Sequence, residues 1–212
     1  VDVVKIALGK GRLEEFTVEI FQKIGIEFPE LEKGSRKLIF DDESGNFRIV
    51  LVKATDVATY VENGAADIGV IGKDTLMESE ADVFEVLDLG FGKCKFAVAG
   101  LSVQPINPNQ KLKVASKYPN VAKAFYEKKG ISVETIKLNG SVELAPLIGL
   151  SDVIVDIVET GRTLKENGLA IIEDICDISA RLIVNKASFK TKTETIHPLL
   201  NKMEQELARM SV

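Results

Sequence analysis

One histidine and two cysteines are all that this 212-residue chain holds of the residue types most used for nucleophilic centres and soft-metal sites. The histidine, His197, stands beside Pro198 in the C-terminal tail and reads as structural. No Ser/His/Asp or Cys/His set can be assembled around it, so covalent catalysis by a protein nucleophile is not expected. Metal-ligand clusters, internal repeats and low-complexity tracts are also missing. Cys94 and Cys176 fit reduced thiols in a cytoplasm better than a disulfide framework. Cys94, between Lys93 and Lys95, reads as a packing residue rather than a catalytic thiol. No apolar run approaches the ~20 residues that cross a bilayer, and no basic-then-apolar leader opens the chain. Val1 in place of methionine marks a processed or trimmed start. A net charge of −5 argues against non-specific nucleic-acid binding. If the ligands are polyphosphates, local cations and magnesium must offset their charge.

What is present is ordinary for a globular protein: 45% hydrophobic and 28% charged residues, enough for one large or two small domains. The pattern alternates strand and helix. Val3 to Leu8 reads as a strand, Gly9-Lys10-Gly11-Arg12 as a tight turn, and Leu13, Phe16, Ile20 and Ile24 as one helix face ending at Gly25. Strand, glycine turn and helix start together form a candidate anion site, with Lys10 and Arg12 adding charge. The third glycine of the dinucleotide fingerprint is missing, which rejects a Rossmann reading. Lys37 to Asp41 and Phe47 to Val52 form a predicted hairpin, preceded by Arg36. A helix over Val57 to Asn63 follows, then a buried strand and glycine turn from Ala65 to Asp74, and a strand from Phe84 to Leu89.

Gly90 to Lys95 reads as a crossover into a second lobe. There, Phe96 to Ala99, Lys113 to Ala115 and Val133 to Leu138 are predicted strands, Gln104 to Gln110 a polar loop and Val121 to Lys129 a helix. A helix carrying Glu143 is expected next, and a strand near Leu169 to Ile178 crosses back. Leu182 to Asn185 is a strand of the first lobe, and the tail from Lys192 to Met210 is mostly helical with a break near Pro198. Such alternation indicates parallel or mixed sheets flanked by helices.

The segment from Glu143 to Leu164 organises the rest. Val153 to Val158 is a β-branched run of the kind buried on both faces of a parallel sheet, interrupted by Asp156, whose carboxylate needs a partner or a ligand there. Glu159-Thr160-Gly161-Arg162-Thr163 comes next: a glycine that admits close backbone approach, two hydroxyls and successive N–H groups that suit an anion. Leu164 opens a short helix in this reading, stopped by Asn167-Gly168. Acids ahead of a phosphate cradle suit a sugar phosphate. The plain alternative is a strand ending in a turn, with Thr163 as an ordinary N-cap.

This stretch resembles the signature of ATP phosphoribosyltransferases: a glutamate, a glycine, then Asp-x-x-x-Thr-Gly-x-Thr-Leu. The Lys-Gly-Arg-Leu segment at Lys10 to Leu13 is similar to a recurrent motif of that family. The resemblance implies an α/β, two-lobed, periplasmic-binding-protein-like (type II) fold, each lobe a mixed sheet flanked by helices. Lobe I is expected over residues 1–91 plus 178–212, and lobe II over 92–177 with the phosphate loop. It implies transfer of the 5-phosphoribosyl group from phosphoribosyl diphosphate to N1 of ATP in the first step of histidine biosynthesis. Lys10, Arg12 and Arg36 are implied as the catalytic cations. Gly11, Glu143, Asp156, Glu159, Thr160, Gly161, Arg162 and Thr163 are implied as substrate contacts. Magnesium is implied through the substrate, with Asp156 the candidate protein ligand. Lys53 and Lys95 stand where the family usually has arginine; lysine keeps the charge and loses the bidentate fork. The length leaves no room for a C-terminal regulatory domain, which implies the short form, a regulatory subunit resembling histidyl-tRNA synthetase, and self-association as a dimer or higher. The competing reading is a non-catalytic two-lobed binding or sensor module for a phosphorylated metabolite, since a fold does not fix function.

Overall fold

The computed structural model describes residues 2–31, 36–101 and 111–210, so the polar loop expected at Gln104 to Gln110 lies outside the described residues. The chain divides into two compact units, Val1–Gly92 with Ser179–Val212, and Lys93–Ile178.

The first unit opens with β1 (Val4–Gly9) and α1 (Arg12–Lys23), whose first turn carries Glu14 and Glu15 and whose last carries Lys23, matching the helix dipole. Gly25, at φ 81°, ends it. The hairpin β2 (Ile39–Asp41) and β3 (Phe47–Val52) turns through Asp42, whose carboxylate accepts the backbone N–H groups of Ser44 and Phe47. A 3-10 turn, Ala54–Asp56, leads into α2 (Val57–Glu62). Then come β4 (Ile68–Gly72), α3 (Lys73–Ser79) and β5 (Phe84–Asp88). The sheet order is β2-β3-β1-β4, completed by a returning strand next to β5. β1 lies parallel to both β3 and β4.

The second unit contains β6 (Cys94–Leu101), β7 (Leu112–Ser116), α4 (Pro119–Lys128), β8 (Val133–Lys137), α5 (Leu144–Leu147), β9 (Val153–Val158), α6 (Arg162–Glu166) and β10 (Leu169–Ile178). Its sheet runs β10-β6-β9-β7-β8 and is mixed: β7 is parallel to β8 and β9, while β6 is antiparallel to β9 and β10. The chain then returns to the first unit as β11 (Ala180–Val184), between β4 and β5, and closes with α7 (Lys186–Thr191) and α8 (Thr193–Met210).

Two apolar layers sandwich the first sheet. Ile6, Leu8, Ile49 and Leu182 meet Ile20 and Phe21 of α1 and Ile196, Leu199 and Met203 of α8. Ala7 and Ile183 meet Val57 and Val61 of α2 on the opposite side. Asp67 ties the C-terminal helices to this sheet: only 4% exposed, it accepts from the Lys5 N–H at 2.8 Å, the Ser188 hydroxyl at 2.6 Å and the Lys192 ammonium at 3.0 Å.

Two expectations change, and the structural reading of His197 holds. α8 runs on through Pro198. The missing N–H removes one bond near the helix start, and the apolar row Ile196, Leu199 and Met203 packs on the core and holds the helix line. His197 lies against the Phe189 ring at 4.8 Å, a packing role. The helix expected to carry Glu143 shrinks to the four residues of α5, with Glu143 as its N-cap. Pro146 and the left-handed Gly149 (φ 76°) leave no length for more.

Candidate active site

In the first unit, the carboxyl ends of β1, β3 and β4 come together because the three strands run the same way. β1 leads into α1 on one face of the sheet, and β3 leads into α2 on the other. That reversal around β1 is a topological switch point, where open α/β sheets bind ligands. Lys10 follows β1, Lys53 follows β3 and Lys73 follows β4. A pocket of about 640 Å³ opens there, lined by Lys10, Leu38, Leu51, Lys53, Thr55 and Tyr60 among others. Gly9 permits this geometry. A Cβ on it would stand 2.7 Å from Ala54 Cα, so only glycine lets the 3-10 turn bring Lys53 up beside Lys10.

Gly11 (φ 122°) is the N-cap of α1, and its N–H donates to the Glu14 carboxylate at 3.1 Å. The anion position expected at this turn is therefore already served by a side chain, which a phosphate would have to displace. Arg12 places its guanidinium 5.6 Å from the centre of the Phe91 ring, and Phe91 stacks on Phe16 at 4.1 Å. Arg36 is exposed ahead of β2 and is not one of the residues lining the pocket. Lys53 takes a place there that the implied cation set did not include. Phe91 and Tyr60 were missed too. The Gly90-Phe91-Gly92 triplet, an aromatic ring between two left-handed glycines (φ 65° and 63°), was the available signal for the former.

In the second unit, β9 is buried at Val153, Ile154 and Val155 and again at Val158, while Asp156 is half-buried and Ile157 is exposed. The expected burial on both faces fails at Asp156 and Ile157. The physical reason is register: β7 pairs with β9 only as far as Ser116 opposite Val155, so Asp156 to Val158 have β6 alone beside them. Asp156 is half-buried rather than sealed in, and one carboxylate oxygen accepts the Ile157 N–H at 2.9 Å. By strand alternation it shares a face with Ile154 and Val158, which pack against Val142 and Ala145. Glu143, half-buried, sits between those last two in sequence. Ser141, just before, holds a left-handed φ of 48°, uncommon for a residue with a side chain.

Glu159 and Thr160 are exposed beyond the strand end. Gly161 adopts φ 72° and caps α6, so the helix opens at Arg162, and Thr163 lies in its first turn rather than at the N-cap. Arg162 turns along α6 to Glu166, Nε to Oε1 2.8 Å, and is 82% exposed. Thr163 is exposed, and its carbonyl accepts from the Asn167 side chain at 2.8 Å. The loop is thus a glycine bend with exposed hydroxyls at the open end of a strand.

Among the described residues no group of three or more His, Cys, Asp or Glu could hold a metal ion.

The sequence profile of the ATP phosphoribosyltransferase (HisG) family matches residues 53–205. An ATP phosphoribosyltransferase of Clostridium acetobutylicum is 56% identical over 209 residues, covering 98% of this chain and 97% of that protein. The chain belongs to the ATP phosphoribosyltransferase family. A solved structure described as the ATP phosphoribosyl transferase (HisG:HisZ) complex from Thermotoga maritima superposes with a TM-score of 0.84 at 38% identity, covering 98% of this chain and 100% of that one. The periplasmic aliphatic sulphonate binding protein SsuA of Escherichia coli shares the fold alone, with a TM-score of 0.58 at 13% identity over 98% of this chain and 69% of that one. The two-lobed α/β class expected from the sequence holds. Lys53 lines the pocket, and Lys95 pairs with Asp174 at 2.8 Å. No helix among the described residues is long and apolar enough to cross a membrane.

Proposed function

We infer that this chain transfers the 5-phosphoribosyl group of phosphoribosyl diphosphate to N1 of ATP and releases pyrophosphate, the committed entry into histidine biosynthesis. Identity of 56% with an ATP phosphoribosyltransferase across nearly the whole length carries this reading. The non-catalytic binder shares only the fold, at 13% identity.

N1 of the adenine attacks the anomeric carbon as the bond to the diphosphate oxygen breaks. Positive charge builds on the ribose and negative charge on the leaving group, so the protein must position both substrates and stabilise the departing diphosphate. No protein nucleophile is needed. In this reading the first unit supplies the cations Lys10, Arg12 and Arg36, joined by Lys53, a cluster that serves both the departing diphosphate and the polyphosphate of ATP. Each charge-assisted bond contributes roughly 1.5–3 kcal/mol. The exposed bend Thr160 to Thr163 grips the 5′-phosphate, with Gly161 keeping the backbone close and Glu159 and Arg162 flanking it. Asp156 and Glu143 accept from the ribose hydroxyls. Magnesium, when bound with the diphosphate and Asp156, neutralises charge on the phosphates.

The Thermotoga complex, named as HisG:HisZ, supports a partner subunit here. In this reading that partner is a regulatory subunit resembling histidyl-tRNA synthetase, and the chain self-associates as a dimer or higher. The working location is the cytoplasm.

The test is direct. Protein, ATP, phosphoribosyl diphosphate and magnesium are mixed with and without the regulatory subunit, and the ultraviolet absorbance of N1-substituted adenine is followed. No absorbance change in either mixture, with the protein folded, would overturn the reading.

A further inference from the structure

The pocket at the ends of β1 and β3 has an apolar side that the phosphate chemistry does not use. Tyr60, on α2, lines it with a residue exposure of 40%, and Leu38 lines it at 51%. Leu51 and Val52 complete this side, while Lys10 and Lys53 supply its positive charge and Asp56 adds one carboxylate. Large apolar side chains left uncovered beside cations suit a ligand that is flat and apolar at one end and anionic at the other. The other two tyrosines are spent on packing. Tyr118, 5% exposed, lies edge-on to Phe96 at 5.0 Å, and Tyr126, 7% exposed, edge-on to Phe125 at 5.1 Å. No ring or cation among the described residues stacks on Tyr60.

We propose that Tyr60 is the platform on which the purine base of ATP stacks, so that it determines recognition of the base while Lys10 and Lys53 hold the polyphosphate. This rests on the phosphoribosyl-transfer reading and goes past it by naming the residue that senses the base. A ring face accepts any base, so the contact favours large purines over pyrimidines and over a bare polyphosphate. The hydroxyl is not required; the ring is.

Composition provides a clean readout. The chain has three tyrosines and no tryptophan, so its intrinsic fluorescence is tyrosine fluorescence, and Tyr60 is the tyrosine whose ring is open to a ligand. Titration with ATP should quench part of that emission, and inorganic tripolyphosphate should leave it unchanged. Tyr60→Phe removes the quenching, corrects for absorption by the nucleotide and restores ATP affinity. Tyr60→Ala should raise the KM for ATP by about tenfold, the scale of one base–aromatic stack. It should leave the KM for phosphoribosyl diphosphate and the affinity for tripolyphosphate unchanged. Circular dichroism of Tyr60→Ala confirms that it folds. If wild type turns over but Tyr60→Ala keeps its KM for ATP, or ATP quenches Tyr60→Phe as strongly as wild type, the stacking assignment fails and the catalytic reading stands. If Tyr60→Ala instead changes the sedimentation of the assembly with ATP affinity intact, Tyr60 is a subunit contact and the assignment is equally overturned. Wild type that neither binds ATP nor turns it over defeats both.

Discussion

Gly9 and Ala54 lie so close that a methyl group on the glycine would stand 2.7 Å from the Ala54 Cα and 2.9 Å from its Cβ. The obstacle is backbone, which cannot swing aside as a side chain can. Gly9→Ala should therefore push the 3-10 turn off the end of β1, at a cost of about 1–3 kcal/mol of stability. It should also raise the KM for ATP, because Lys53 moves away from Lys10. Urea midpoint and steady-state kinetics measure the two effects, and an unchanged KM would mean that the spacing of the two lysines does not matter.

Lys53 lines the pocket beside Lys10, and on the proposed reading its charge serves the polyphosphate. Lys53→Ala should lower kcat/KM by about tenfold to a hundredfold. Lys53→Arg, which keeps the charge, should recover most of the loss. Equal damage from both variants would assign Lys53 to packing.

The bend after β9 makes a separate prediction. Thr163→Val removes an exposed hydroxyl from the first turn of α6 and Asp156→Ala removes the carboxylate at the open strand end. Both should raise the KM for phosphoribosyl diphosphate by about tenfold, the cost of one charge-assisted hydrogen bond. The KM for ATP should stay near its original value. Retention of phosphoribosyl diphosphate affinity and turnover in both variants would remove this loop from the site.

Asp67 joins β1, α7 and Lys192 through three donors and is almost wholly enclosed. Asp67→Ala strands those donors, although Lys192 still reaches solvent. We expect a loss of about 2–4 kcal/mol, read as a lower urea midpoint with little change in KM for either substrate.

Tyr126 gives an alkaline signature. Burial first, then the nearby Glu173 carboxylate, pushes its phenol up to about 12. The unfolded phenol ionises near ~10, so the folded state holds the proton more tightly. The stability this contributes is complete below the unfolded value and is lost as pH rises towards the folded one. Phenolate absorbance against pH should show a late-titrating tyrosine that disappears in Tyr126→Phe; a tyrosine titration without a late component would contradict the burial.

Period and punctuation alone determined a good deal of this protein. β-branched runs closed by glycine located most of the strands and helices, because the local pattern of buried and exposed positions repeats within a few residues. The family signature from Glu143 to Leu164 was legible for the same reason: its acids, glycine and hydroxyls are contiguous. Asp156 shows where contiguity stops being enough. Its neighbours in sequence are apolar, yet β7 ends opposite Val155 and leaves the carboxylate only half-covered. Lys53 and Tyr60 show the same limit from the other side. Nothing beside them in the chain marks a pocket, since its walls come from the turn after β1, from β3, from the 3-10 turn and from α2. Only the parallel pairing of β1 with β3, and a glycine small enough to let Ala54 approach, brought those side chains together.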